Sequence, residues 1–170
     1  VLLENNIPYN VIGSKNLKNI NTQVLCVNDV PELTDEETQH LENYVTSGGK
    51  LFITGKLGNA RLEELLGVEI KGKSDYTYTY LSPTEKGAPL LKTFNSKSPY
   101  PVDHFAWEAK IKSPENAQIL ATLTYPYTKP NSFDFAAIHS NPPGIRTELP
   151  TINRKKVEKG EIIWVAAPLE

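Results

Sequence analysis

Sulfur-containing residues are almost absent from this chain of 170 residues, which has one cysteine and no methionine. A single cysteine excludes an internal disulfide framework and a metal site built from several thiolates. Cys26 lies in the apolar run Val24-Leu25-Cys26-Val27, which predicts a small side chain in the core of a strand. Because the chain begins at Val1 without a methionine, we interpret it as a fragment of a longer chain.

An excess of charge of one sign is also lacking, since 18 Lys and Arg face 20 Asp and Glu for a net charge of -2. Without a basic stripe to neutralise phosphates, we expect no nucleic-acid partner. The basic run Arg154-Lys155-Lys156 indicates a solvated edge strand or turn. No apolar run is long enough to cross a bilayer, so we expect no membrane partner.

The three histidines, His40, His104 and His139, lack the His-x-His or His-x-Glu spacing of a zinc site, and we expect no metal. His104 follows Asp103, which is consistent with an acid–base pair. His139 ends a predicted strand beside a rigid Pro-Pro-Gly loop. Each of these two histidines could instead be an ordinary hydrogen-bonded loop residue, and both alternatives stay open.

What the sequence does contain is a strong helix signal after residue 33. Thr34 and Glu37 have the spacing of a capping box, in which each side chain satisfies a backbone N–H of the other residue. Leu41 and Val45 fall on one face, which predicts an amphipathic helix. Gly48-Gly49 supplies the left-handed residue that ends such a helix.

A strand is predicted on each side of this helix. Leu51-Phe52-Ile53-Thr54 is an apolar run bounded by glycines, typical of a strand that is covered on both faces. Gln23 to Val27 predicts the preceding strand. The order strand, helix, strand predicts a parallel pair with a right-handed crossover. A further strand is predicted at Tyr9-Asn10-Val11-Ile12, after helical turns at residues 1–6.

The segment Gly55-Lys56-Leu57-Gly58 leaves the buried strand and enters a short helix predicted over Ala60–Leu66. This geometry is used for a nucleophile elbow beside a helix N-terminus. Such an elbow needs Cys or Ser at its tip, where Lys56 stands here, and a phosphate loop needs a different glycine spacing. We therefore interpret Gly55, Lys56 and Gly58 as a degenerate elbow with a structural role, and we expect no cofactor.

The second half of the chain is rich in predicted strands separated by turns with Pro, Asn and Ser. Asp75 to Tyr80 alternates tyrosine and threonine, which predicts a strand with one aromatic face. The other predicted strands are Phe105–Ile111, Gln118–Thr124, Phe133–Ile138 and Glu161–Ala166. We interpret them as mixed, partly antiparallel strands added to the sheet.

Aromatic residues in this half allow two interpretations. Trp107, Trp164 and the tyrosines at 76, 78 and 80 could stack on sugar rings, or could pack in the core or an interface. Tyr125-Pro126-Tyr127 predicts a surface turn. The candidate ligand-binding residues are therefore His104, Trp107, His139 and Tyr78.

Both ends of the sequence resemble a β-galactosidase trimerisation domain. The residues that carry the resemblance are Leu3-Glu4-Asn5-Asn6-Ile7-Pro8-Tyr9-Asn10-Val11-Ile12, the run from Val24 through the glycine pair to Thr54, and residues 149–164. Residues 71–130 match nothing identifiable. The resemblance implies a class I glutamine amidotransferase-like fold, found downstream of a glycoside hydrolase barrel.

The same resemblance argues against amidotransferase chemistry. Catalytic members have Gly-x-Cys-x-Gly at the elbow, and their cysteine would fall on Lys56. Their His-x-Glu pair has no counterpart, because Phe105 and Ala106 follow His104. A periplasmic or extracellular location is suggested by the resemblance alone.

We therefore expect a flavodoxin-like, three-layer α/β/α fold with a mostly parallel central sheet and extra mixed β strands in the second half. It would form one domain over residues 1–170, with an α/β core at 1–70 and a β-rich extension at 71–170 that closes on the same sheet. The expected function is that of a non-catalytic accessory domain of a β-galactosidase-like glycoside hydrolase, for assembly or for shaping the cleft. The expected partner is the catalytic barrel of the same longer chain, with a homo-oligomer or a carbohydrate as further partners.

Two alternatives from other classes stay open. One is a stand-alone amidotransferase-like hydrolase that uses Lys56, His104 or His139 at the carboxyl ends of the strands. The other is a carbohydrate-binding module that uses Tyr78, Trp107 or Tyr127.

Overall fold

The structure, a computed structural model, describes residues 2–115, 117–134, 136 and 141–168. A 3₁₀ helix spans Ser14–Asn19, and the two α-helices are α1 (Asp35–Thr46) and α2 (Ala60–Leu66). The strands are β1 (Val24–Asn28), β2 (Lys50–Thr54), β3 (Val68–Lys73), β4 (Thr79–Pro83), β5 (Tyr100–Val102), β6 (Trp107–Ile111), β7 (Ala117–Pro126), β8 (Pro143–Val157) and β9 (Gly160–Val165). None of the described helices has the length and apolar character needed to cross a membrane.

Helix α1 forms as the sequence predicts. The Thr34 hydroxyl accepts a hydrogen bond from the Glu37 N–H at 3.2 Å, and the Glu37 carboxylate accepts one from the Thr34 N–H at 2.9 Å. Leu41 and Val45 are buried on its inner face. The capping box lowers the pKa of Glu37, chiefly through the backbone hydrogen bond from Thr34, because that bond favours the ionised carboxylate.

Seven strands form one sheet in the order β1-β2-β9-β8-β7-β4-β5, and β3 pairs with β6 in a second, two-stranded sheet. The predicted parallel pair is confirmed, because β1 and β2 run parallel, and β9 continues the parallel arrangement on the other side of β2. The four remaining pairings of the large sheet are antiparallel.

Both helices pack against the same face of the large sheet. One core contains side chains of α1 and α2 together with Leu51, Ile53 and Trp164 of the sheet. The core on the opposite face contains Leu81 and Leu120 and includes no helix residue among those described. The flavodoxin-like α/β/α arrangement is therefore wrong, and the structure does not support the amidotransferase-like fold that the resemblance implies.

The physical reason for this correction is the way the later strands are connected. A parallel strand needs a long crossover, usually a helix, whereas antiparallel neighbours need only a short turn. Between β8 and β9 the chain reverses within two residues, since Val157 pairs with Gly160, and Glu158 has a positive φ of 49°. A turn this short contains no crossover helix. Strands joined in this way therefore add no helix to the second face of the sheet, and no third layer forms.

Several local predictions also need correction. Residues 2–6 form turns rather than helix, and residues 9–12 form no strand. The alternating Asp75–Tyr80 segment is irregular until β4 begins at Thr79. Cys26 lies in β1 as predicted, but it is exposed rather than part of the core. The predicted strand Phe133–Ile138 lies partly outside the described residues.

The basic run is also placed differently from the prediction. Arg154, Lys155 and Lys156 lie in β8, which has a neighbouring strand on each side and is not an edge strand. The Arg154 guanidinium donates two hydrogen bonds to the Glu161 carboxylate, at 2.9 and 2.6 Å. The cation at residue 154 is thus neutralised within the sheet.

Candidate functional site

The carboxyl ends of the parallel strands β1, β2 and β9 lie side by side. We call this end of the strands the carboxyl edge (Asn28–Asp29, residues 54–58 and residues 165–167). Open α/β sheets bind ligands at such an edge. The turn that follows β2 has the predicted form, with positive φ angles of 72° at Gly55 and 74° at Gly58. It leads directly into α2, so its geometry is that of a strand-to-helix elbow.

Neighbouring elements bind several backbone groups of this turn. The Gly55 N–H donates to the Val165 carbonyl at 2.9 Å, and the Trp164 indole N–H donates to the Gly55 carbonyl at 2.8 Å. The Gly58 carbonyl accepts from the Leu33 N–H at 3.0 Å. Because both polar groups of Gly55 are used by β9, the turn offers no free backbone group of that residue to a ligand.

The N-terminus of α2 is also occupied. The Asn59 side chain accepts from the Arg61 N–H at 2.9 Å and donates to the Leu33 carbonyl at 3.0 Å. An elbow enzyme needs these helix N–H groups free to stabilise an oxyanion. Lys56 stands at the tip, half-buried, and the Asn28 and Thr54 side chains that flank the turn are hydrogen-bonded to each other.

A second group of side chains lies beside the end of β9. The backbone N–H of Trp107 donates to the Ala166 carbonyl at 2.7 Å, which places the start of β6 next to the carboxyl edge. We define the aromatic cluster as the aromatic side chains of the 76–80 segment, the start of β6 and the end of β7. Its members are Tyr76, Tyr78, Tyr80, Phe105, Trp107 and Tyr125.

The structure places the His104 and Trp107 rings beside Phe105, whereas the Tyr78 ring packs against Tyr80 with ring centroids 5.2 Å apart. The His104 and Trp107 rings both lie edge-on to Phe105, with centroid distances of 4.2 and 5.8 Å. The Thr79 hydroxyl donates to the His104 carbonyl at 2.9 Å, so Tyr78 lies one residue from this contact. His139, the fourth candidate, lies outside the described residues.

Sequence reasoning missed two further residues of this region, Lys73 and Glu108, and the contact between Tyr76 and Tyr125. The Lys73 ammonium lies 4.3 Å from the Phe105 ring centroid and 5.1 Å from that of Trp107, within the range of a cation–π interaction. These residues come from separate strands, and their sequence spacing carries no signal of the contact.

The tyrosines of the cluster are held by hydrogen bonds and by stacking. The Tyr125 hydroxyl donates to a Glu108 carboxylate oxygen at 2.6 Å, and Tyr76 stacks on Tyr125 with ring centroids 4.6 Å apart. Burial first, and then Glu108, raises the pKa of Tyr125. The Tyr80 hydroxyl donates to the Asn141 carbonyl at 2.7 Å, and burial raises the pKa of Tyr80 to about 12. Both phenols therefore remain neutral donors at neutral pH.

Two buried polar atoms in this region have no hydrogen-bond partner among the described residues: the Trp107 indole nitrogen and His104 Nδ1. Buried polar atoms are nearly always hydrogen-bonded. A bound water or a ligand hydroxyl is the kind of group that would satisfy them. Trp164, by contrast, is fully buried and bonded to Gly55, so of the two interpretations left open for it, packing in the core is the correct one.

No group of three or more His, Cys, Asp or Glu that could hold a metal occurs among the described residues. Two clefts lie elsewhere on the surface. One of about 420 Å³ lies between the 3₁₀ helix and the end of α1, and one of about 550 Å³ lies beside Thr84 and Ile119. Neither cleft includes a residue of the turn or of the aromatic cluster.

Comparison with solved structures finds this arrangement within larger proteins. A GH42 β-galactosidase from G. stearothermophilus superposes with a TM-score of 0.56 at 15% identity, over 87% of this chain and 19% of that one. The chain shares its fold with a segment of GH42 β-galactosidases. It spans about a fifth of the length of that enzyme. Neither a protein-family model nor a curated protein matches the sequence.

Two other similar structures differ in kind. The α-L-fucosidase isoenzyme 2 from Paenibacillus thiaminolyticus has a TM-score of 0.65 at 19% identity, over 85% of this chain and 21% of that one. A cytoplasmic protein from Salmonella typhimurium LT2 has a TM-score of 0.66 at 14% identity, over 99% of this chain and 74% of that one. At these identities the likeness shows the fold alone.

Proposed function

We propose that this chain is a non-catalytic accessory domain of a β-galactosidase-like glycoside hydrolase, of the trimerisation-domain type. Its role would be to assemble subunits or to shape the cleft of a catalytic barrel in the same longer chain. The fold shared with a segment of GH42 β-galactosidases supports this proposal. So does the turn at the carboxyl edge, which has the shape of an elbow but holds no nucleophile.

The engaged turn is the single observation that carries the non-catalytic part of the proposal. Catalysis at an elbow requires an exposed nucleophile and backbone N–H groups that are free to bind an oxyanion. Here Lys56 takes the position of the nucleophile, β9 uses the polar groups of Gly55, and Asn59 caps the next helix. A turn bonded in this way holds strands together.

Six exposed apolar side chains within residues 2–12 support a contact with the rest of a longer chain. They include Leu3 at 75% and Val11 at 88% of their full accessible surface. Exposed large apolar side chains grouped in one region are a common mark of a protein interface. The catalytic barrel would cover this segment.

The experiment that tests the proposal compares this chain with the full-length protein from the same gene on chromogenic galactosides and related glycosides. We expect turnover by the longer protein and none by the 170-residue chain. Turnover by these residues alone would contradict the proposal. A longer protein without glycosidase activity on any of these substrates would contradict the glycoside-hydrolase assignment.

A variant of the longer protein tests whether the elbow is catalytic. Replacing Lys56 by Ala leaves the backbone bonds of the turn intact, so we expect kcat/KM to change by less than about twofold, equivalent to less than about 0.4 kcal/mol. Lys86→Ala, at an exposed position outside the turn, is the matched control. A loss of about a hundredfold or more with Lys56→Ala alone would identify the turn as part of an active site.

The cleft-shaping role gives the aromatic cluster a contact with carbohydrate, and the half-buried rings of Phe105 and Trp107 are the observation that favours it. The exposed part of an aromatic face can stack on the apolar face of a sugar. Titration with galactose should change the tryptophan fluorescence, and Trp107→Phe should abolish the change, because Trp164 is buried. No response up to high millimolar galactose would exclude this contact.

A further inference from the structure

Strand β8 carries two polar side chains into the core that the helices cover. Asn153 is 0% and Thr151 is 1% exposed. Asn153 pairs across the sheet with Trp164, which lies in the same core as α1 and α2, so the two side chains share one face. Thr151 lies two residues from Asn153 on the same strand and therefore faces that side as well.

The polar atoms of these two side chains have no partner in the part of the chain that the structure describes. They are the oxygen and the nitrogen of the Asn153 amide and the Thr151 hydroxyl. A side-chain amide can make up to about four hydrogen bonds, and a buried polar atom that makes none destabilises the fold. The neighbouring Trp164 cannot supply the missing partner, because its indole N–H is bonded to the Gly55 carbonyl.

The start of β6 lies beside Thr151. The Ala166 carbonyl accepts a hydrogen bond from the backbone N–H of Trp107, and the Ala166 N–H donates one to the Thr151 carbonyl, each at 2.7 Å. The Trp107 side chain packs against the same core, and its indole nitrogen is buried without a partner among the described residues. A third unpartnered polar group therefore lies on the side of the sheet that Thr151 faces.

The other end of β6 lies beside the side chain of Lys155, two residues beyond Asn153. The Lys112 N–H donates to the Gly67 carbonyl at 2.8 Å, and a Cβ atom at Gly67 would lie 3.0 Å from Lys155 Nζ. Because β6 packs along β8 between these two ends, Ala109 at the middle of β6 lies over Asn153. Ala109 is fully buried, and its one-carbon side chain takes up little of the space above the Asn153 amide.

We infer that ordered water is bound between β6 and β8, where it bonds the Asn153 amide, the Thr151 hydroxyl and the Trp107 indole N–H. Water is the ligand that fits these groups, because it both donates and accepts hydrogen bonds, as the amide requires. Buried waters typically make about three hydrogen bonds to polar groups that would otherwise have none. The bound water links the two-stranded sheet to the seven-stranded one.

This site determines which part of Trp107 a ligand can reach. The indole N–H bonds to the internal water, so only the exposed part of the ring face is left for another molecule. For the carbohydrate contact, which rests on the proposed function, this predicts stacking on the ring without a hydrogen bond from the indole. The water site itself does not require the chain to belong to a glycosidase.

NMR spectroscopy of the 170-residue chain tests the site, with its two tryptophans as a matched pair. Both indole nitrogens are buried, but that of Trp164 is bonded to protein. We expect nuclear Overhauser cross-peaks from water to the Trp107 indole N–H and to the Asn153 side-chain amide, and none to the Trp164 indole N–H. Trp107→Phe assigns the two indole resonances by removing one of them. Absence of the water cross-peak at Trp107 or at Asn153 would overturn the inference.

A variant tests whether these groups share one site. Asn153→Leu replaces the amide by an apolar side chain that fills the space beside it, so we expect the water cross-peak of the Trp107 indole to be lost. Thr122→Val, at a half-buried position on the neighbouring strand β7, is the matched control and should leave that cross-peak unchanged. A Trp107 cross-peak that persists in Asn153→Leu would contradict a shared site.

A high-resolution crystal structure of the wild-type chain gives an answer even if Asn153→Leu does not fold. We expect a water oxygen within about 2.7–3.2 Å of a polar atom of the Asn153 amide and of Trp107 Nε1. A protein side chain bonded to the amide, or direct apolar packing against it, would overturn the inference.

Discussion

Gly55 illustrates how single residues determine the carboxyl edge. The sequence predicts a tight turn there, because glycine punctuates the end of a buried strand. It cannot show what the glycine contacts, since Asp29 lies 26 residues earlier and Trp164 lies 109 residues later. A Cβ atom at Gly55 would overlap Asp29 Oδ1 and lie 3.1 Å from Asp29 Cα. Both the positive φ and this close approach require glycine.

Replacing Gly55 by alanine should therefore destabilise the protein by about 1–3 kcal/mol, the usual cost of a side chain held at positive φ. Urea unfolding of the two proteins measures this difference. Gly13→Ala is the control, because nothing lies within 4 Å of its Cβ position and its φ is -78°. Equal stability of the Gly55 and Gly13 variants would contradict the contact described here.

The candidate ligand-binding residues are a second case in which the sequence does not reveal contacts between distant residues. Aromatic composition predicts a binding role for Trp107 and Tyr78, but the structure gives them separate ring contacts, with Phe105 and with Tyr80. Composition could not distinguish Trp107, which is half-buried, from Trp164, which is fully buried. Nor could it predict Glu108, whose bond with Tyr125 depends on two strands meeting.

Among the elements, α1 is determined by signals within its own sequence. The capping residues and the inner face lie within one segment, so the prediction needs no knowledge of the remaining chain. The Asp75–Tyr80 segment is the opposite case. Its alternation predicts a strand, but backbone pairing with β7 begins only at Tyr80, since the pairing depends on where a distant strand lies.

Removing the cap of α1 tests the local signal. Thr34→Ala should cost about 0.5–2 kcal/mol of stability, as measured by thermal or urea unfolding. Thr77→Ala, at an exposed threonine outside the helices, should have an effect within about 0.5 kcal/mol.

The capping box also makes this difference depend on pH. Because the pKa of Glu37 is lowered below its ordinary value of 4.5 in the folded state, its contribution is present above that value and is lost as the pH falls through the folded pKa. The effect of Thr34→Ala should therefore shrink in acid. A difference that stays constant from neutral pH into strong acid would argue against the ionised carboxylate.

For the whole molecule, the order of the strands in space is the decisive feature. Strand β9 comes last in the chain but lies in the sheet between β2 and β8. Its residues Ile162 and Trp164 are buried in the same core as α1 and α2. The first half of the chain therefore lacks a central strand of its own sheet, and we propose that residues 1–170 fold as one domain.

A truncated chain tests this proposal. Residues 1–73 keep β1, β2 and both helices but lose β9, so we expect poor amide dispersion in NMR spectra and no cooperative unfolding. A chain that ends at Ala167 keeps β9 and is the control. A folded 1–73 fragment with dispersed resonances would show that the N-terminal half is an independent domain.

The sequence by itself determined the features that depend on neighbouring residues: the cap and inner face of α1, the parallel pair β1 and β2, the short helix α2 and the glycine turn. Tertiary structure decided the remaining features, because they depend on contacts between distant segments. These are the insertion of β9 beside β2, the antiparallel half of the sheet, the single face that both helices cover and the assembly of the aromatic cluster. Local sequence patterns carry information about periodicity and turns, but the partner of each strand depends on packing across the whole chain.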